Sequence, residues 1–351
     1  MSAFEGRKKF VSDTLLFYLS PITQSVTGLL TLAFLAKYLG AVGYGIWGQI
    51  NATIPFLAIF ASMNIGHAMN RFLTGPKPQK HLAGTLSATL IFVSTISLVV
   101  GVLLWLLRVP LSSLIFGGRE HVLFVVLLGP LLLLRILNVE QGNFLRARRF
   151  IGFLTFGQTG YYLLIAVLAS LFAFLTRDIF FVVSALFLGA LALFLAESLF
   201  LLKKGFLPAR PNFTSFLPLF AYGAPLLLTT MGYWVVQVSD RYLINYFLGI
   251  ADVGVYTASY GIAMLVSAVW TTSSTVLLAD FSALHDQGES REVAIRSSRL
   301  LKYELALSAG AVMGFALLGK EILTTVASGE FAQEPHMLWI LGSAMVAHGL
   351  F

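Results

Sequence analysis

Residues 231–263 read MGYWVVQVSDRYLINYFLGIADVGVYTASYGIA. An apolar helix carries the adjacent pair Asp240 and Arg241, turns at a glycine-rich bend, and gives way to a second apolar helix. An acid and a base side by side at membrane depth are costly, so they ask for partners. The bend has an echo. Leu248–Tyr256 reads LGIADVGVY and Leu39–Trp47 reads LGAVGYGIW, both of the form L-G-x-x-x-x-G-[IV]-[WY]. One offset, 249 minus 40 or 209, relates Gly249 to Gly40, Gly254 to Gly45 and Tyr256 to Trp47. One half of the chain repeats the other.

The composition sets the solvent. Of 351 residues, 58% are hydrophobic and 11% charged, with mean hydropathy +0.85. Soluble domains carry about a quarter charged residues. Apolar runs of about 20 residues recur, which predicts an all-α polytopic membrane protein. The absence of cysteine excludes disulfides and thiol chemistry. The formal charge of +7 does not point to nucleic acid, because of its distribution. With a cytoplasmic N-terminus and alternating spans, the inner face holds Arg7, Lys8, Lys9, Arg71, Lys77, Lys80, Arg146, Arg148, Arg149, Lys203, Lys204, Arg210, Arg291, Arg296, Arg299 and Lys302. The outer face holds only Lys37, Arg108, Arg119, Arg177 and Lys320. That is the positive-inside rule. The first run, 14–38, is too long for a signal peptide and reads as an uncleaved span.

Nine complete spans are predicted at 14–38, 46–69, 83–107, 122–145, 153–175, 179–202, 215–247, 254–280 and 300–319. A tenth, from 337, stops at Phe351. Six helices separate equivalent helices, so the repeats run parallel, as two lobes around a central cavity. The expected division is an N-lobe at 1–205 with about six spans and a truncated C-lobe at 206–351 with about four. The segment KKGFLPARP from Lys203 is the linker. Residues 279–304 are expected to form an amphipathic connector at the inner surface.

Two polar faces stand out. Asp13, Ser20, Gln24, Thr27 and Thr31 share a face of the first span; Tyr222, Thr229, Tyr233, Gln237 and Asp240 share one of the seventh. The offset of 209 maps Ser20 to Thr229, Gln24 to Tyr233 and Thr31 to Asp240. Such faces look toward a hydrated cavity or hydrogen-bond a neighbouring helix. In the fourth span, Arg135 lies near mid-membrane, at a cost of about 2.5–3.5 kcal/mol. Arg135, Asn138, Gly142, Arg146 and Arg149 share a face leading to the inner surface. Two readings are open: a basic track for an anionic group, or a buried arginine paired with Glu140 or a carboxylate on another helix. For Asp240 and Arg241 a structural salt bridge stands beside a functional role. His67 reads as an interior histidine, and Glu197 as a charge near the membrane surface.

Enzyme chemistry finds no support. Gly43-x-Gly45-x-x-Gly48 has dinucleotide-fingerprint spacing, but no strand precedes it. The six histidines are scattered, without a metal-ligand cluster, and there is no Walker loop. No cofactor or metal is called for.

Four segments carry a family resemblance. Asp240-Arg241 with LGIADVGVYTASY and ADFSALHDQG resembles the second lobe of polysaccharide (O-antigen type, Wzx-like) flippases, of the multidrug/oligosaccharidyl-lipid/polysaccharide (MATE-like) exporter superfamily. LAKYLGAVGYGIWGQI and FLRARRF resemble the first lobe. The resemblance implies twelve or fourteen helices and alternating access. It implies a multi-pass protein of the bacterial cytoplasmic (inner) membrane that moves a lipid-pyrophosphate-linked oligosaccharide outward for lipopolysaccharide or other surface glycans. In that role Arg135 and Arg241 would hold the pyrophosphate, with Asn138 on the same basic track. Gln24, Thr27, Tyr233 and Gln237 would serve the sugars, and Asp240 would orient Arg241 or titrate with a coupling ion, H+ or Na+. The implied partners are membrane lipids and a polymerase or glycosyltransferase. A cation-coupled drug antiporter and a non-transporting scaffold of a glycan assembly complex remain the alternatives.

Overall fold

The structure is a computed structural model. It describes the backbone of residues 3–286 and 289–350, and the side chains of 19–267, 270, 281 and 289–350. Asp13, the basic residues at 7–9 and the side chains of 282–288 lie outside the described residues.

Twelve helices follow one another: α1 (Ala3–Ser62), α2 (Ile65–Phe72), α3 (Gln79–Leu106), α4 (Arg108–Phe116), α5 (Val122–Ala147), α6 (Ile151–Thr176), α7 (Ile179–Lys203), α8 (Phe213–Gly223), α9 (Leu227–Phe247), α10 (Ile250–Asp286), α11 (Ser290–Val326) and α12 (His336–Gly349). No strand occurs among the described residues. Eight stretches are long and apolar enough to cross a membrane. In hydrocarbon, helices satisfy every backbone group internally, which is why runs of Leu, Ala, Val and Phe fold this way.

The first stretch holds two spans. Gly40 breaks α1 with φ 67° and ψ −173°, a conformation that favours a residue without a Cβ. The chain reverses there. Tyr38 meets Phe174 at one end of α6, whereas Ser20 on the first arm bonds Gln158 and Ile50–Ile54 on the second arm lie beside Tyr161. Gly249, its mate in the repeat, also has positive φ, 108°. The motif is thus repeated in backbone conformation as well as in letters.

Two ends follow from these reversals. At the turn end Gly40 lies against Glu330 of the turn Gly329–Ala332, Gly45 against Ile250 beside Gly249, and Gly117 at the end of α4 against Asn245. The opposite, basic end is knitted by main-chain contacts. Arg148 donates to the carbonyls of Leu73 and Gly75, Gln79 to those of Lys204 and Gly205, and Asn212 N–H to Gly84. The linker is tied down too, with Phe206 buried against Phe144 and Asn212 capping α8 through Ser215 N–H.

The seventh span is broken, contrary to the continuous helix expected at 215–247. A 3-10 turn at Ala224–Leu226 divides α8 from α9. Pro225 has no N–H to give, and a side chain at Gly223 would fall 2.4 Å from the Met63 carbonyl. The break lets α8 lie against α2 and α3 while α9 follows the second arm of α1. The second span is also broken, at Met63 and Asn64 (φ 46° and 54°); the Asn64 amide donates to Thr230 at 3.0 Å. The expected connector at 279–304 is not a separate helix. α10 runs to Asp286 and α11 starts at Ser290, each of 37 residues, or about 55 Å against a hydrocarbon core of about 30 Å.

The repeat is itself an interface. A side chain at Gly45 would fall 2.0 Å from the Ile250 carbonyl oxygen, and one at Gly254 2.1 Å from that of Ala41. Ile250 is Ala41 plus 209, as Gly254 is Gly45 plus 209, so the contact is reciprocal. Gly48 faces Thr257, its own mate by the same offset. The two halves therefore cross on their pseudo-two-fold axis with backbones touching, as small residues permit in membranes. Around this joint an apolar cluster combines Leu32, Leu35 and Tyr44 with Ala258, Ile262, Leu323 and Phe331.

Candidate functional site

Arg135 lies midway along α5, half-buried. Its Nη1 donates to the Tyr161 hydroxyl at 2.6 Å, and the guanidinium lies 5.0 Å from that ring's centroid. No carboxylate forms an ion pair with it among the described residues. Glu140, the partner considered from sequence, is fully buried elsewhere on α5. Glu197 acts on Arg135 through its field only. It is 1% exposed within the protein, beneath Gly142 and six residues before Lys203. His67 is exposed rather than interior. Arg135 faces a cavity of about 50 Å³ lined by Ile50, Asn51, Ile54, Pro55, Leu131, Tyr161 and Leu186. That is room for water, about 30 Å³ a molecule, and less than the roughly 300 Å³ of a typical ligand site.

The rest of the basic track is not one open face. Asn138 is buried against α7, its amide donating to the Ala190 carbonyl at 2.9 Å. Gly142 is covered by Leu154. Arg146 and Arg149 are exposed at the basic end. Replacing Tyr161 with phenylalanine is expected to leave Arg135 without its side-chain acceptor, at about 1.5–3 kcal/mol for a bond to a charged group. Thermal unfolding in detergent reads the loss.

The second half holds a denser cluster. Asp240 and Arg241 pair at 3.8 Å, although adjacent helical positions point about 100° apart. The Tyr256 hydroxyl donates to Asp240. Arg241 lies 4.6 Å from the centroid of Tyr260 and 5.8 Å from that of Tyr256. Gln237 joins the groups, accepting from Tyr260 at 3.0 Å and donating to Tyr233 at 3.0 Å, and it bonds His348 on α12 at 2.8 Å. The structure thus gathers Tyr233, Gln237, Asp240 and Arg241, and sets Arg135 apart. Tyr44, within the field of Arg241, and Asn51, beside Arg135, lie seven residues apart on the same arm of α1.

On the first arm, Thr27 bonds back to the carbonyls of Thr23 and Gln24 at 2.6 and 3.2 Å, and Thr31 to that of Thr27. Among the described residues of that stripe, only Gln24 is exposed. Sequence reasoning missed Tyr161, Tyr260 and His348. Tyr256 and Tyr260, one turn apart in the repeated motif, offered a signal. Tyr161 offered none, because its partner lies on another helix.

A helical bundle in two repeated halves, with eight stretches long and apolar enough to cross a membrane, is a multi-pass membrane protein. Residues 10–285 match the family model described as "Polysaccharide biosynthesis protein", and the chain belongs to that family. Among solved structures the fold is similar to the lipid II flippase MurJ in an inward closed conformation. That match has TM-score 0.70 and 17% identity, over 96% of this chain and 72% of that one. It is also similar to an inward-facing multidrug resistance MATE family transporter of the MOP superfamily, with TM-score 0.60 and 17% identity, over 92% and 76%. At such identity the likeness speaks for the fold. No curated protein sequence matches the chain.

Proposed function

We propose that the protein is a flippase that moves a lipid-pyrophosphate-linked oligosaccharide across the cytoplasmic membrane, for a surface polysaccharide of the O-antigen type. Arg135 carries this reading: a cation at membrane depth, without an ion pair among the described residues, turned to a cavity lined by residues of the first half. An intramembrane charge that no carboxylate contacts among the described residues suits an anionic cargo. Family membership and the flippase-like fold support it. Division into lobes at 1–205 and 206–351 supplies two bodies for alternating access. The cavity of about 50 Å³ must widen to admit a glycan.

Cation-coupled drug antiport is less well served. The tyrosine faces that would receive a cationic drug already hold Arg241. The test is leaflet translocation of a fluorescent lipid-pyrophosphate oligosaccharide by reconstituted protein. Arg135→Gln is expected to lower the rate at least about tenfold, the equivalent of about 1.4 kcal/mol, with unchanged elution and helicity. An unchanged rate would make Arg135 structural. Failure of well-folded wild type to move any glycan lipid would favour cation efflux or a scaffold role.

A further inference from the structure

The first three turns of α11 carry a basic stripe that the proposed cargo path does not use. Arg291, Ala294, Ile295, Ser298, Arg299 and Lys302 recur at helical spacing and line one groove of about 430 Å³. The stripe points away from the bundle. α11 packs through buried Glu304 and Ser308, and Trp270 on α10 donates to Ser308 at 3.0 Å. Lys302 stands about 200° round the helix from Glu304. Arg291, Arg299 and Lys302 are exposed, and none forms an ion pair among the described residues. Glu292 is engaged by Arg296 at 2.8 Å.

Beyond Lys302 the same face turns apolar. Leu305, Met313 and Leu317 are exposed on it, and the next cation is Lys320. Lys302 to Lys320 spans about 27 Å of helix, close to the roughly 30 Å of a bilayer's hydrocarbon. Lysines at the two ends of an apolar face extend their ammonium groups to the two membrane surfaces. Ser298 and Arg299 then stand about 5–6 Å past the hydrocarbon edge, at headgroup depth.

We infer that this groove docks the phosphate headgroup of an acidic phospholipid at the basic end of the protein. Three cations and a hydroxyl line the groove, with no acid among its lining residues, and they select an anion. The adjoining apolar face selects one that carries acyl chains. The inference rests on the membrane fold alone and is independent of the cargo.

The chain has no cysteine, so Ser290→Cys takes a single donor fluorophore beside the stripe. The labelled protein is placed in phosphatidylcholine vesicles holding an equal fraction of headgroup-labelled acceptor, either phosphatidylglycerol or phosphatidylcholine. Energy transfer to phosphatidylglycerol is expected to exceed that to phosphatidylcholine about threefold or more, as for a basic cluster at an acidic surface. Parity is expected when Arg291→Gln, Arg299→Gln and Lys302→Gln are combined, and the preference shrinks at high salt. Lys203→Gln with Lys204→Gln is expected to keep it. Should the triple variant misfold, Arg299→Gln and Lys302→Gln are expected each to lower it singly. Equal transfer in the wild type, or a preference surviving the triple substitution in folded protein, overturns the site. Abolition by millimolar inorganic phosphate would assign the groove to a soluble anion and overturn the lipid.

Discussion

Replacing Gly45 with valine is expected to force the two halves apart at the turn end. The first side-chain carbon alone would fall 2.0 Å from the Ile250 carbonyl oxygen and 3.2 Å from Gly254 N. These are backbone atoms of a helix, so no side-chain rotation relieves the clash. Overpacking of this kind costs about 1–3 kcal/mol, and about 1.4 kcal/mol changes a population tenfold. The readout is a cross-link across the pseudo-two-fold axis. A carbon added at Gly48 would lie 3.2 Å from Thr257 Cβ, near the roughly 3.5–4.5 Å of a disulfide. In this cysteine-free chain, Gly48→Cys with Thr257→Cys is expected to oxidise readily. Adding Gly45→Val is expected to lower the cross-linked fraction severalfold to tenfold, and Gly254→Val to do the same, since the contact is reciprocal. An undiminished cross-link would show that the joint has slack. Under the proposed function, the oxidised pair also stops translocation and reduction restores it.

Arg241→Gln is expected to separate the two cations by kind. Arg241 is 9% exposed and makes its ion pair and two aromatic contacts inside the second half. Its loss removes cation–π stabilisation of about 1–2 kcal/mol and leaves Asp240 with the Tyr256 hydroxyl and the backbone N–H of residue 241. Thermal unfolding should fall by several degrees. Arg135→Gln breaks no ion pair among the described residues; it removes the bond to Tyr161 and is expected to melt as Tyr161→Phe does. Combining Asp240→Asn with Arg241→Gln should cost less than the sum of the two single changes, because groups in contact couple. Additive costs would mean that the pair at 3.8 Å contributes nothing to stability.

Much of the fold was legible in the letters. Span number, alternation and the separation of basic residues follow from the length and order of apolar runs, because hydrocarbon leaves a spanning chain few options. The repeat at 209 was visible too, and Gly40 and Gly249 share positive φ as the motif implied. The helix breaks were partly hidden. Pro225 marked one, but Pro21, Pro55 and Pro130 sit inside continuous helices. Membrane helices absorb a missing N–H when neighbours re-satisfy the freed carbonyl.

The candidate site was less legible. Sequence placed Arg135 at mid-membrane and put Tyr233, Gln237 and Asp240 on one face. It did not show that Arg135 would bond Tyr161, that Asn138 would turn to Ala190, or that Tyr256 would take Asp240. Lipid chains are as apolar as leucine, so a face against lipid and a face against another helix carry the same residues. Periodicity therefore loses the contrast that marks the buried side of a helix in water. By itself the sequence determined that the chain spans a membrane as two parallel repeats with cations inside. Only the tertiary structure decided that Gly45 and Gly254 meet across the axis and which aromatic ring receives each cation. Those outcomes depend on close packing between helices far apart in the chain, where ångström-scale fit, not hydrophobicity, selects the neighbour.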